Sequence, residues 1–213
     1  MSFDIIFFDC DSTLSEIEGI DELAERAGCG AEMAALTNAA MNGEVSLESV
    51  YAQRLDLIKP DQQAIDWVAD LYIEKMVQGV EEVFQQLHSQ GKEVHIISGG
   101  IKQAILPLAE KLQVDADHVH AVEVVFASNG DYLKFNQQSP LARNGGKAEV
   151  CAQLNEAGLK MAMIGDGNTD MEAKKAGAYC IGFGGVVARG IVREQADVFV
   201  DSPDLQAILP YLL

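Results

Sequence analysis

The sequence of 213 residues predicts an α/β fold, with a parallel sheet as its core and a helical module inserted near the N-terminus. From residue 76 onward, short apolar strand patterns alternate with helical patterns, which is typical of βα units. Between residues 15 and 75, helical patterns follow one another with no strand among them. The predicted domains are therefore an α/β core, residues 1–14 and 76–213, and a helical cap, residues 15–75.

The first predicted strand is an apolar run, residues 5–8, that leads directly into Asp9 and Asp11. A strand without a polar face is typical of one buried on both sides. Extended chain alternates faces, so Asp9 and Asp11 are expected on one side and Cys10 on the other. Two carboxylates at the end of a buried strand are costly unless a cation or a reaction uses them. On this stretch alone, a helix N-cap explains the residues equally well.

Four successive helices are predicted in the cap. The first begins over residues 17–24 and ends near residues 28–30, and the second spans residues 31–41 and stops at residues 42–43. The third spans residues 47–57 with Ser46 as its N-cap, and the fourth begins at residues 60–61 and runs toward residue 76.

The rest of the chain is predicted to alternate between helices and strands. In order these are a helix over 80–90, a strand over 94–97, a glycine turn over 98–100, a helix from 101, a hairpin of 122–128 and 131–135 with a two-residue turn at 129–130, a helix from 146–147, a strand over 161–164, a helix over 171–176, and strands over 179–183 and 197–200.

The charge balance excludes two classes of partner. Asp and Glu number 33 against 15 Lys and Arg, a formal net charge of −18. Such a surface repels nucleic acid and anionic membranes. The sequence contains no apolar run of membrane-spanning length and no signal peptide, and its four cysteines are scattered, so we expect a cytoplasmic protein with reduced thiols. His118 and His120 alternate as on a strand, but a zinc site there is the weaker interpretation.

Polar residues follow three of the predicted parallel strands. They are Asp9 and Asp11, residues 98–99, and Asp166 with Asp170. In open α/β sheets, ligands bind at this edge, so Asp9 and Asp166 are expected to converge on one cation. Carboxylate oxygens without Cys or His favour a hard ion such as Mg²⁺.

Two further features suggest an anion site at the same edge. Ser98-Gly99-Gly100 precedes a predicted helix, where free backbone N–H groups attract anions. Lys147 follows two glycines at another helix start and would supply positive charge. Taken singly, the glycine run is more often a turn and the lysine more often solvated. A metal site, an anion site and a lysine around two carboxylates together indicate phosphoryl transfer.

These motifs, in this order, resemble those of the haloacid-dehalogenase-type phosphohydrolases, and within them the chain is similar to the phosphoserine phosphatases. The broader resemblance rests on residues 9–13, 98–100, 147 and 165–170, and the narrower one on residues 18–23, 41–43 with 54, and 182–185 with 189. The resemblance covers essentially the whole chain. Asn42 stands where a glycine or other small residue is expected, which bears only on the shape of the pocket.

The resemblance implies a Rossmann-like three-layer core and hydrolysis of O-phosphoserine through an aspartyl-phosphate, the last step of serine biosynthesis. It implies that Asp9 is the nucleophile and Asp11 the general acid and base. It also implies one Mg²⁺, held by the carboxylates of Asp9 and Asp166 and the backbone carbonyl of Asp11. Asp170 would orient Lys147 or a metal-bound water.

The resemblance also implies a substrate site shared by the core and the cap. Glu18 would bind the substrate ammonium and Arg54 its carboxylate. The other expected contacts are Met41, Gly43, Ser98, Gly99, Gly100, Lys147, Thr169 and Arg189.

Other functions fit the same motifs. A phosphotransferase that moves phosphate from phosphoserine to another alcohol, such as homoserine, would use the same intermediate. A phosphatase for another small ester would too. A receiver-type signalling module is a remote alternative, because Asp11 would hasten its dephosphorylation. The expected partner is a small molecule, and the chain is expected to be a monomer or a homodimer.

Overall fold

The computed structural model describes residues 3–33, 36, 45, 47–155 and 158–213, with residues 47 and 49 described by their backbone only. The strands are β1 Ile5–Phe8, β2 Glu93–Ile101, β3 Val119–Val122, β4 Val124–Phe126, β5 Tyr132–Phe135, β6 Met161–Gly165, β7 Tyr179–Phe183 and β8 Val198–Val200. Six of them form one parallel sheet in the order β3-β2-β1-β6-β7-β8, and β4 pairs with β5 as an antiparallel hairpin. The predicted α/β fold is confirmed.

β1 positions the predicted site because it lies between β2 and β6. All four of its residues are buried. Phe8 pairs with Ile96 of β2 on one side and with Ile164 of β6 on the other. The residues that follow these three positions therefore meet at one edge of the sheet, as the sequence predicts.

Helices connect the strands. Their bounds are α1 Gly19–Arg26, α2 Leu47–Ile58, α3 Gln62–Glu74, α4 Val80–Ser89, α5 Lys102–Lys111, α6 Gly146–Leu154, α7 Asn168–Met171, α8 Gly190–Gln195 and α9 Leu209–Leu212. Of these, α1, α2 and α3 lie within the segment predicted to be a cap. Residues 30–33 are also helical. The expected end of a helix at residues 42–43 and the expected N-cap Ser46 lie outside the described residues.

The start of α3 shows how a local signal sets a helix. Asp61 accepts a hydrogen bond from the backbone N–H of Ala64 at 2.8 Å, as an N-cap does. The buried face of α3 includes Ile65, Val68 and Tyr72, and the helix packs against α5 of the core. This contact brings a cap helix close to the edge of the sheet.

The two crossings between core and cap lie side by side. The backbone N–H of Val77 donates to the carbonyl of Leu14 at 3.0 Å, and that of Glu16 donates to the carbonyl of Lys75 at 2.8 Å. The division at residues 15 and 75 stays a prediction.

Three local predictions are corrected. The glycine turn expected at residues 98–100 is part of β2, which continues to Ile101 with an irregular register against β3. The hairpin loop spans three residues rather than two, because the backbone N–H of Ala127 still donates to the carbonyl of Asp131, and Gly130 takes a φ of 89°. The helix expected over 171–176 begins at Asn168 and continues as a 3₁₀ helix over Glu172–Ala176.

All four cysteines are free, which agrees with the predicted reduced thiols. None of the described helices is long and apolar enough to cross a membrane.

Candidate active site

Asp9 is fixed at the end of β1 by its own backbone and by its neighbour. Its N–H donates to the carbonyl of Ile164 at 2.9 Å, which continues the pairing of β1 with β6. Its Oδ1 accepts the backbone N–H of Cys10 at 2.8 Å. The Cys10 thiol is fully buried, and this burial raises its pKa well above the usual range. The Cys10 thiol therefore stays protonated.

Lys147 reaches Asp9 from the first turn of α6. Its Nζ lies 2.8 Å from Asp9 Oδ1 and 2.6 Å from Asp170 Oδ1. Burial by itself lowers the pKa of Lys147, but the carboxylates of Asp170 and Asp9 raise it by a larger amount, so the net shift is upward. The lysine therefore remains a cation despite its burial.

Asp9, Asp166 and Asp170 form the acidic cluster, in which one carboxylate oxygen from each residue lies within 4.8 Å of the others. Asp170 already uses both oxygens, because Oδ1 meets Lys147 and Oδ2 accepts the backbone N–H of Gly167 at 2.9 Å. The partners of Asp166 lie farther away, since Thr13 Oγ1 is 3.4 Å from Oδ1 and Arg189 Nε is 3.1 Å from Oδ2. Asp9 and Asp166 are therefore less tightly engaged than Asp170 and are better placed to hold an added cation.

The electrostatics of the acidic cluster fit a divalent cation. Arg189 Nε donates to Asp166 Oδ2 at 3.1 Å, and Lys147 serves the other two carboxylates. Even so, burial and the nearby charge of Asp9 raise the pKa of Asp166 to about 7. Carboxylate oxygens that lack sufficient positive charge suit a hard ion such as Mg²⁺.

Asp11 is held by three hydrogen-bond donors. Its Oδ1 accepts the backbone N–H of Gly19 at 2.7 Å and the hydroxyl of Tyr72 at 2.6 Å. Its Oδ2 accepts the hydroxyl of Ser98 at 3.1 Å. Burial and the charge of Asp9 nevertheless raise the pKa of Asp11, so a protonated form is accessible to it.

The predicted phosphate-binding segment is a strand end that faces Asp11. The Ser98 hydroxyl, which donates to Asp11, accepts the backbone N–H of Gly100 at 3.0 Å. A side chain at position 100 would come within 2.9 Å of Asp11 Oδ2, so the close approach requires glycine. Gly99 offers its carbonyl to the Tyr51 hydroxyl at 2.8 Å, which ties this segment to α2 of the cap.

The predicted ammonium-binding residue, Glu18, lies between core and cap. Its Oε1 accepts the Ser12 hydroxyl at 2.8 Å and lies 3.8 Å from Arg189 Nη2. Burial, together with the charges of Asp11 and Asp166, raises its pKa well above the usual value. A cationic group of the substrate would offset this repulsion.

A pocket with an empty volume of about 750 Å³ opens over these residues. Eight of the predicted site residues line it: Asp9, Asp11, Glu18, Arg54, Gly99, Gly100, Lys147 and Thr169. Ser98, Asp170 and Arg189 are not among the lining residues but contact them, through Asp11, Lys147 and Glu18 respectively. Asp166 is bonded to Arg189. Met41 and Gly43 lie outside the described residues.

Sequence reasoning missed part of the pocket wall. Its unpredicted members are Ile20, Tyr51, Ile101, Leu141 and Arg143. Tyr72 was missed as well, although it contacts Asp11. Ile20 lies within the motif of residues 18–23 but was given no role, and the other side chains belong to no motif. For Tyr51 and Tyr72 the available signal, an aromatic residue on a helix, is as typical of a core position.

Comparisons with known proteins place this geometry in context. Residues 6–175 match the haloacid dehalogenase-like hydrolase family. The chloroplastic phosphoserine phosphatase of Arabidopsis thaliana is 38% identical over 200 residues, which are 92% of this chain and 68% of the relative. Two solved structures, a substrate-bound phosphoserine phosphatase complex and a phospho-aspartyl intermediate analogue of phosphoserine phosphatase, superpose with TM-scores of 0.85 and 0.84. Each is 27% identical over the whole of both chains.

Proposed function

Because the chain belongs to the haloacid dehalogenase-like hydrolases, we propose that it is a phosphoserine phosphatase, which hydrolyses O-phospho-L-serine to serine and phosphate. The observation that carries this conclusion is the contact of Lys147 with Asp9 in the lining of a pocket whose wall also includes Glu18 and Arg54. This reaction is the last step of serine biosynthesis.

Asp9 performs the first covalent step in this proposal. A carboxylate oxygen of Asp9 forms a bond to phosphorus while the bond from phosphorus to the serine oxygen breaks. Asp11 gives its proton to the departing oxygen. In the second step, Asp11 takes a proton from water as the water oxygen attacks phosphorus and releases Asp9. The structure of a phospho-aspartyl intermediate analogue of phosphoserine phosphatase, to which this chain is similar, supports a covalent aspartyl-phosphate.

Lys147 and the Ser98 segment hold the phosphoryl group. Lys147 offsets the repulsion between the phosphate and Asp9, which the net charge of −18 would otherwise increase. In the structure, the Ser98 hydroxyl donates to Asp11. We expect a phosphate oxygen to replace Asp11 as its acceptor, which would free Asp11 to face the leaving oxygen.

We propose one Mg²⁺ per chain, held by Asp9, Asp166 and the backbone carbonyl of Asp11. When bound, it supplies positive charge against the phosphate oxygens. Asp170 positions Lys147, which lies 2.6 Å away, and does not serve as a ligand.

The cap provides the selectivity for phosphoserine in this proposal. Arg54 is 3% exposed, lines the pocket and would receive the substrate carboxylate, while Glu18 would receive the ammonium. Thr169 lines the same pocket, and Arg189 contacts Glu18 and Asp166. We also propose that the chain works in the cytoplasm, as a monomer or a homodimer.

A phosphate-release screen over small phosphate esters, with Mg²⁺ present, tests this function. We expect O-phospho-L-serine to be hydrolysed with the highest kcat/KM, and chelation of the metal to stop turnover. Added homoserine or other alcohols should not reduce the phosphate released per phosphoserine consumed, because a hydrolase transfers the phosphoryl group to water. A phosphotransferase would transfer part of it to the added alcohol instead. A higher kcat/KM for an ester without an amino acid group would contradict the proposal.

A further inference from the structure

A second cluster of metal-binding side chains lies at the other edge of the sheet, where β2 and β3 begin. Glu93 is the first residue of β2 and His95 follows on the same face, while His118 directly precedes β3. One ligand atom from each of these three residues lies within 4.8 Å of the others. This three-residue cluster is separate from the active site, which lies where the strands end.

A fourth side chain, His120, holds the central histidine in place. His95 is 2% exposed, and its Nδ1 lies 3.0 Å from His120 Nε2. Its Nε2 lies 2.9 Å from Glu93 Oε1. When Nδ1–H of His95 donates to His120, the lone pair of His95 Nε2 faces Glu93. Histidines that bind metals commonly donate their second N–H to such a partner, which fixes the ring and its tautomer.

We propose that Glu93, His95 and His118 bind a transition-metal ion of the Zn²⁺ class, with His120 orienting His95. Two imidazoles and one carboxylate are donors that suit Zn²⁺, Ni²⁺ or Cu²⁺ better than Mg²⁺. Three protein ligands leave the fourth tetrahedral position for water.

The surroundings support this assignment. His120 Nε2 lies 3.0 Å from His95 Nδ1, so it is placed to accept a hydrogen bond from the Nδ1–H of His95. The His118 ring stacks on His95, with ring centroids 4.1 Å apart, so binding requires His118 to turn toward the ion. His118 is only half-buried, which leaves it room to turn.

The site would fasten an edge strand of the sheet. β3 pairs only with β2 in the sheet order, and the ion would join the start of β2 to the residue before β3. An ion that binds the folded chain and not the unfolded chain stabilises the fold in proportion to the logarithm of its concentration. The expected role is therefore structural, not catalytic.

Calorimetric titration with Zn²⁺ tests this site. The protein is first freed of transition metals and is then kept in saturating Mg²⁺, which occupies the acidic cluster. We expect one Zn²⁺ bound at micromolar affinity, and Co²⁺ in its place should give the strong visible absorption of a tetrahedral site. His118→Gln should weaken binding at least tenfold, and His120→Gln should weaken it by about tenfold through the loss of ring orientation.

His88→Gln is the matched control, because His88 contacts the carbonyl of Leu112 and lies outside the cluster. It should bind Zn²⁺ as the unaltered chain does. Thermal unfolding without Zn²⁺ should show that all three variants fold. Absence of stoichiometric binding, unchanged affinity in His118→Gln, or an equal loss in His88→Gln would each overturn the proposal. None of these outcomes depends on the proposed phosphatase activity.

Discussion

At the scale of single residues, Tyr72 is the least expected contact of the site. Its hydroxyl donates to Asp11 from a cap helix, whereas Asp11 belongs to the segment after β1. Asp11 must present its carboxyl group to the leaving oxygen in the proposed mechanism. Tyr72 therefore couples the position of the cap to the orientation of the general acid.

We expect Tyr72→Phe to lower kcat for phosphoserine about tenfold with little change in KM, because one hydrogen bond to a charged group is lost. With a nitrophenyl phosphate, the rate of the nitrophenol burst should fall less, because nitrophenolate leaves without needing a proton from Asp11. Rapid-mixing kinetics on both substrates would measure this difference. Tyr179→Phe is the control, since the Tyr179 ring packs against Phe3 outside the site. Equal losses on both substrates would argue against an effect through Asp11.

Glu18 carries the proposed recognition of the ammonium group. We expect Glu18→Gln to raise KM for phosphoserine about tenfold or more, since a buried charge pair with the substrate is lost. An aryl phosphate has no ammonium group, and its KM should stay the same. Steady-state kinetics on the two substrates measure this, and a similar rise for both would show that Glu18 does not read the ammonium.

At the scale of secondary-structure elements, the start of α6 decides where Lys147 lies. Gly146 packs so closely on the preceding segment that an added Cβ would lie 1.8 Å from the carbonyl oxygen of Pro140. That oxygen belongs to the backbone, so it cannot move aside without shifting the segment. The glycine thus sets the approach of α6 to the sheet edge.

We expect Gly146→Ala to lower the free energy of unfolding by about 3 kcal/mol through overpacking, and to lower kcat by displacing Lys147. Gly190→Ala is the control, because nothing lies within 4 Å of its added Cβ and it also stands at a helix start. Urea unfolding of both variants measures the difference. A Gly146→Ala protein as stable as the control would contradict the packing argument.

The elements show how far sequence reasoning extends. Strands such as β1 and β6 are uniformly apolar and buried, so their pattern predicts them directly. Asp9 and Asp166 follow such strands and were predicted for that reason, whereas Lys147 was predicted because it follows two glycines at the start of a helix. The extension of β2 through Ser98, Gly99 and Gly100 was not predicted, because glycines are typical of turns. The β3 partners of Ile97 and Ile101, which flank this stretch, are set by the fold and not by the local sequence.

Contacts between residues far apart in the chain could not be predicted from the sequence either. Tyr72 meets Asp11 across 61 residues, and Tyr51 meets Gly99 across 48. The same holds for His95 and His120, which belong to different strands and whose spacing matches no metal-binding motif. Such pairs depend on the packing of whole elements, which local patterns do not encode.

At the scale of the whole molecule, the net charge of −18 opposes folding through self-repulsion. We expect the unfolding temperature to rise by a few degrees when the ionic strength increases from about 0.01 M to about 0.15 M. The reason is that salt screens the repulsion between exposed carboxylates in the folded chain. Screening of surface ion pairs acts in the other direction but is small. Near the sequence pI of about 4.4 the rise should be smaller. An unfolding temperature that falls with salt at pH 7 would contradict this account.

In the proposed mechanism, the whole arrangement serves one covalent step, the transfer of the phosphoryl group to Asp9. The sheet brings β1 between β2 and β6, Lys147 neutralises the nucleophile, and the cap supplies Glu18 and Arg54 over the pocket. If this account is right, the phosphorylated chain must exist during turnover.

The most direct test is acid quenching of the enzyme during turnover of phosphoserine with Mg²⁺, followed by mass spectrometry of its peptides. The account predicts one phosphoryl group on the peptide that contains Asp9, and none in Asp9→Asn, which should fold but not turn over. A phosphoryl group on another residue, or hydrolysis by Asp9→Asn at a rate near that of the unaltered chain, would contradict it.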